Sequence, residues 1–282
     1  MTDTFTAEVF KLRKRPAVLT VLAVWLALAV VFGYVFPYFN YTGLDDAAAA
    51  GDSAAALQGL LQALPDNWGL TSIRGLPMFA GALAILLGVL AAGSEYAWRT
   101  QKMILTQGPG RTRVMAGKFA ALVLLLLVIL ACSFAVNAGA SALVANATDR
   151  AITWPAFADL LAAFGGGLLI GAVWCTFGVL MGTLLRGTAL PIGLGLVWAL
   201  AIENLLRTGA EIPVLGTIQQ YTPGSAGGSL VAALGAVTQG EAGGTPGISN
   251  ALTGTTAVVV LFIYLVVFVS ATLTVVRKRD VE

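Results

Sequence analysis

The residues best suited to chemistry lie in one segment, Gly93–Lys118, which reads GSEYAWRTQKMILTQGPGRTRVMAGK. Glu95, Arg99 and Lys102 fall at i, i+4 and i+7, so a helix sets them on one face. Glu95 and Arg99 have the spacing and order that favour an ion pair. Trp98 and Leu105 lie on a different stripe. Gly108-Pro109-Gly110 then breaks the helix, and Arg111, Arg113 and Lys118 lead onward. A phosphate-binding loop needs Gly-Lys-Ser/Thr at a fixed distance from an earlier Gly; here the spacing is wrong and Phe119 follows Lys118. What this segment can do is mechanical. A short amphipathic helix closed by a hard turn can fit a groove on a soluble partner and act as a lever. The alternative is a basic anchor touching lipid headgroups.

The elements around this segment must be membrane helices. Charged residues make up only 11% of the chain and hydrophobic ones 58%; ordinary globular proteins carry about 25% charged residues. The runs Pro16–Leu44, Gly75–Ser94, Phe119–Thr148, Leu160–Leu185, Gly187–Ile202 and Ala242–Val276 carry no charge. A bilayer core takes roughly 20 apolar residues to cross, and most of these runs suffice. The expected fold is all-α, a single membrane domain over residues 1–282. Its six spans are expected near 17–38, 76–97, 118–145, 157–185, 188–205 and 254–276. The run Ala17–Val35 exceeds the usual signal-peptide core of about 7–15 residues, so it reads as an uncleaved first helix.

Charge sets the orientation. With both termini in the cytoplasm, all 16 basic residues except Arg74, Arg150 and Arg207 face that side, a strong positive-inside bias. Glu203, Glu211 and most of the other acids face out.

Three further segments have a pattern. Phe5, Val9 and Leu12 share one stripe, and Glu8, Lys11 and Arg15 another, as in an amphipathic helix lying on a membrane surface; a disordered basic leader is the alternative. In the first outer loop, Leu57, Leu60, Leu61 and Leu64 fall on one helical face and Pro65-Asp66 ends it. This reads either as a small helix over the outer mouth or as a spacer. The fifth apolar run, Thr188–Ile202, is short, about 23 Å at 1.5 Å per residue. The loop after it is long, Gly-rich and partly apolar, and includes Arg207, Glu211 and Pro213. Backbone that dips back into the membrane fits such a loop; so does a plain periplasmic loop.

Within the spans, Ser133, Asn137 and Ser141 repeat every four residues. They either line a substrate path or hydrogen-bond a neighbouring helix. Gly167/Gly171 and Gly178/Gly182 are small-xxx-small pairs suited to close helix contact. Trp174 and Phe177 face either a cavity or the helix packing. Glu95 and Glu203 sit near span ends, where headgroup water is expected to reach them, so buried charge is expected to be nearly absent. The chain has no His, the commonest zinc ligand is therefore missing, and Cys132 and Cys175 read as small buried thiols.

The segment GSEYAWRTQKMILTQGPGRTRVMAGK resembles the intracellular loop of type-2 ATP-binding-cassette (ABC) permeases. That family shows a Glu-Tyr helix end, a basic helix, Leu-Thr-x-Gly-x-x-Arg, and Gly-Lys opening the next span. Glu95, Tyr96, Arg99, Leu105, Thr106, Gly108, Arg111, Gly117 and Lys118 match it. The N-terminal amphipathic stretch, the six spans and the broken loop before the sixth are also similar. The resemblance implies that Glu95–Gln107 is a coupling helix docking on a cytoplasmic ATPase subunit that binds MgATP. It also implies a second permease copy, re-entrant outer helices near Leu206–Val237, and alternating access. This chain differs from the family's fused members in carrying no ATPase domain.

The expected function is therefore the permease half of an ABC exporter, with no catalytic, metal or cofactor site of its own and no call for nucleic acid. A lack of mid-span acids suits amphipathic or lipophilic cargo and disfavours a proton-driven carrier. An intramembrane hydrolase is disfavoured by the absence of His and of a Gly-x-Ser-x-Gly motif. A scaffold would have no use for the coupling segment. Ala and Gly richness and the bacterial look of the resemblance point to a multi-pass protein of a prokaryotic inner membrane.

Overall fold

The computed structural model describes residues 2–43, 52–97 and 110–278. Every regular element among them is helical. Six helices are long and apolar enough to cross a membrane: Pro16–Thr42, Phe79–Tyr96, Arg111–Ala147, Phe157–Leu185, Ala189–Thr208 and Gly254–Lys278. In chain order the elements are α1 (Thr2–Lys14), α2 (Pro16–Thr42), α3 (Asp52–Gln62), α4 (Trp68–Ile73) and α5 (Phe79–Ala97). There follow α6 (Arg111–Ala147), α7 (Phe157–Leu185), α8 (Ala189–Thr208), α9 (Pro213–Gln220), α10 (Pro223–Ala233) and α11 (Gly254–Lys278).

The centre is the pair α5 and α7, with α6, α8, α10 and α11 also packed on α7. The backbones of α5 and α7 nearly touch. A Cβ on Gly88 would run into the Cys175 carbonyl, and one on Gly178 into the Ile85 carbonyl. Small residues permit this approach, and in a bilayer close packing is a main source of helix association.

Several span ends differ from the expected ones; α2 runs to Thr42 and α5 starts at Phe79. α6 starts at Arg111, seven residues before the third expected span, because the helix continues past the apolar run with Arg111, Arg113 and Lys118 in its first turns. α8 extends three residues beyond the expected end near 205. It runs through a π-helical segment, Val197–Ile202, to Thr208. α2 likewise passes through a π-helical segment, Val31–Val35. Its cause is Pro37. The Phe36 N–H bonds to the Val31 carbonyl, and the next donor would be Pro37, which has none. Arg74 fills the gap: its Nη2 donates to the Phe32 and Gly33 carbonyls at 3.3 Å each.

Candidate functional site

Glu95 lies in the last turn of α5 and Lys118 in the second turn of α6, on either side of the segment 98–109. Lys118 is 1% exposed. Its ammonium donates to Glu95 Oε1 at 2.8 Å, to Glu8 Oε2 at 3.1 Å and to the Ala91 carbonyl at 2.8 Å. An ammonium has three donors, and all three are used. Lys11 pairs with Glu95 Oε1 at 2.6 Å and with Glu8. Two carboxylates and two ammonium groups thus close a neutral cluster that joins α1, α5 and α6. Burial pulls the Lys11 pKa down, but the Glu95 and Glu8 carboxylates more than offset this and raise it above its ordinary value.

The sequence of α1 brings it into this cluster. Leu12 is buried, and Phe5 and Val9 pack on the core. Glu8 flanks that stripe and is buried with it. The side of α1 bearing Glu8 and Lys11 therefore faces protein, while Phe10 is 61% exposed. Gly117 permits the contact: a Cβ there would lie 2.8 Å from Thr4 Oγ1 and 3.1 Å from the Phe5 nitrogen. At the α1–α2 junction, Arg15 Nη1 donates to the Leu90 carbonyl at 2.6 Å.

The cluster therefore holds both ends of the segment between the second and third spans on one body. A protein-family model described as ABC-2 family transporter protein matches residues 8–281. The chain belongs to that family. A search of curated proteins finds no match. Membership makes the chain a multi-pass membrane component whose family works with an ATP-binding-cassette ATPase partner.

In this ABC-2 permease the expected coupling residues divide into two groups. Glu95 is buried, Tyr96 is half-buried, and Arg111 begins α6 with Nη1 3.5 Å from the Val276 carbonyl of α11. Trp98, Arg99, Lys102, Leu105, Thr106 and Gly108 lie outside the described residues, so the expected Glu95–Arg99 pair does too. The expectation that Glu95 reaches headgroup water is corrected. Its carboxylate is enclosed by α1 and α6, whose two lysines replace water as its partners.

Ser133, Asn137 and Ser141 are all buried. Asn137 Nδ2 donates to Ser72 Oγ at 2.9 Å, from α6 to α4, and Ser141 donates to the Ala138 carbonyl of its own helix. Trp174 is buried in α7; it meets Phe177 edge-on at 6.2 Å, and Phe177 meets Phe268 of α11 at 5.3 Å.

At the other end of the bundle, Glu203 is 1% exposed, which also corrects the expectation of headgroup contact. The cause is α10, whose N-terminus packs against Glu203. Glu203 Oε1 accepts the Gly224 N–H at 3.1 Å, so a carboxylate sits at a helix N-terminus. Its Oε2 faces Arg207 Nη2 at 3.9 Å, and Arg207 Nη1 donates to Asn204 Oδ1 at 2.9 Å. Glu211 and Pro213 are exposed, and Pro213 is the first residue of α9.

Sequence reasoning placed Glu8 and Lys11 on a polar face and missed the pairing of Lys118 with Glu8 and Glu95. The available signal was Lys118 itself, a cation directly before the uncharged run Phe119–Thr148. It also missed Arg74, which besides its α2 contacts donates from Nη1 to Gln62 Oε1 at 2.8 Å.

Proposed function

We propose that this chain is the membrane-spanning permease subunit of an ABC exporter. It moves an amphipathic or lipophilic substrate by alternating access, in a dimer of permease copies served by separate ATPase subunits that bind MgATP. The observation that carries the reading is the buried Glu8–Lys11–Glu95–Lys118 cluster. It ties both flanks of the segment 98–109 to α1, so a push on that segment is passed to α1, α5 and α6 together. Arg99, Lys102, Leu105, Thr106 and Gly108 form the docking segment, with Glu95, Tyr96, Trp98 and Arg111 at its margins. The termini and this segment face the cytoplasm, as the basic residues favour, and Glu203, Arg207, Glu211 and Pro213 belong to the outer segment before the sixth span. The membrane is a prokaryotic inner membrane.

The test is a tagged purification from native membranes in mild detergent, with mass spectrometry and a MgATPase assay. The reading expects an ATPase subunit to co-purify and to be lost on Arg99→Glu. A chain that purifies without any ATPase would count against it and in favour of a gradient-driven carrier or a scaffold.

A further inference from the structure

A groove of about 910 Å³ opens between α2, α3, α4, the start of α5 and loop residues 243–246. Pockets that hold small organic ligands span about 300–1,000 Å³. It lies away from the ionic cluster, which is at the opposite ends of α2 and α5. Its walls are apolar and include Trp25, Leu28, Phe32, Phe36, Phe79 and Leu83. Phe32, Phe36 and Phe79 are largely exposed along it. Below the Gly33 level the wall runs down α2 to Trp25, eight residues or about 12 Å. That is most of the ~15 Å depth of one leaflet of a ~30 Å core.

Arg74 is the one charged residue among the described residues lining the groove. Its recorded partners, Gln62 Oε1 and the Phe32 and Gly33 carbonyls, are all neutral. No carboxylate of the described residues forms an ion pair with it. Burial pulls its pKa below the ordinary value, opposed by the nearby Tyr34, yet a guanidinium stays charged in proteins. An apolar helix from a second copy would seal this cation off without a counter-charge, which is unfavourable. An amphiphile with an anionic head satisfies both parts of the site, since guanidinium pairs well with phosphate.

We propose that this groove binds an anionic glycerophospholipid, with its phosphate at Arg74 and one acyl chain along α2 towards Trp25. The proposal rests on the groove and Arg74 and does not depend on the exporter reading. Arg74 holds the lipid at the level where α2 leaves its regular register, so the bound phosphate also reinforces the π-helical segment.

The test titrates the full-length protein in mild detergent with phosphatidylglycerol and, separately, phosphatidylcholine of identical chains, and counts bound lipid by native mass spectrometry. Phosphatidylcholine carries the same phosphodiester but cancels its charge with choline, so phosphatidylglycerol, with its net negative charge unmatched, is expected to bind about tenfold more tightly, the order of one charge-assisted interaction. Arg74→Gln should remove that preference, and Arg74→Lys should keep most of it. Ala29→Trp, which fills the groove while leaving Arg74 in place, should weaken both lipids. Because Arg74 also serves the α2 carbonyls, Arg74→Lys and Ala29→Trp keep the test decisive if Arg74→Gln does not fold. Equal binding of the two lipids by the wild-type protein would overturn the proposal, as would unchanged phosphatidylglycerol binding by folded Ala29→Trp.

Discussion

Lys118 Nζ lies 2.8 Å from Glu95 Oε1 in a site where neither side chain is exposed. The two residues flank the segment implied to meet an ATPase, and Glu8 and Lys11 extend the pair onto α1. Buried ion pairs of this kind are poor evidence of stability, because desolvation offsets their attraction. Removing one partner is different, since it strands the others.

Lys118→Met should therefore destabilise the protein by about 3–5 kcal/mol, the usual cost of breaking a buried pair. Lys118→Met with Glu95→Met should cost less than the sum of the two single changes, because Lys11 and Glu8 still pair. Thermal melting of the four proteins in one detergent gives the coupling energy. Additive losses would show that the cluster does not act as a unit.

Gly117→Val should lift α1 without removing any charge, because the new side chain meets Thr4 and the Phe5 backbone. Hydrogen exchange should rise in residues 2–14 and change little in α7. Unchanged protection of α1 would contradict the close contact.

The Lys11 pair gives a pH dependence. Its folded pKa is raised above the ordinary 10.5 by Glu95 and Glu8 despite burial. A raised pKa contributes stability that is fully present below the unfolded value and lost as pH rises through the folded value. Melting temperature should therefore hold through neutral pH and fall in the alkaline range above 10.5 more steeply in the wild type than in Lys11→Gln. Parallel curves would remove Lys11 from the cluster.

Asn137→Val removes the hydrogen bond to Ser72 on α4. Bonds between membrane helices average about 0.6 kcal/mol with a maximum near 1.7, so stability should fall by that order and transport should persist. Loss of transport in a stably folded variant would instead place the Ser133–Asn137–Ser141 stripe on the substrate path.

Glu203→Gln keeps an oxygen for the Gly224 N–H, whereas Glu203→Leu leaves that donor unpaired, at about 1–3 kcal/mol. The glutamine variant should transport as the wild type does and the leucine variant should melt lower. A folded glutamine variant that no longer transports would favour a proton-driven carrier.

The six spans were readable because lipid demands long uncharged runs, and the runs ending at Ser94 and starting at Phe119 framed the segment between them. Helix ends were less readable. Arg111 and Lys118 look like a boundary, but α6 continues through them because Lys118 finds its charge partners on other helices. That pairing crosses 110 positions to Glu8, a separation no local pattern records. The same holds for Glu203, which reads as a span end until Gly224 folds over it. The π-helical segment of α2 follows from Pro37, but its rescue by Arg74 depends on a loop 41 residues from Gly33.

The most direct test of the central claim is a distance measured between spin labels at Phe10→Cys on the two permease copies of the proposed dimer. The background is Cys132→Ser with Cys175→Ala, in the intact complex with its ATPase. Phe10 is exposed on α1 and takes no part in the cluster, so the label reports motion that the cluster transmits. The account predicts that MgATP shifts this distance in the wild type and that Arg99→Glu abolishes the shift. No ATP-dependent shift in the wild-type complex, or a shift that Arg99→Glu leaves intact, would contradict it.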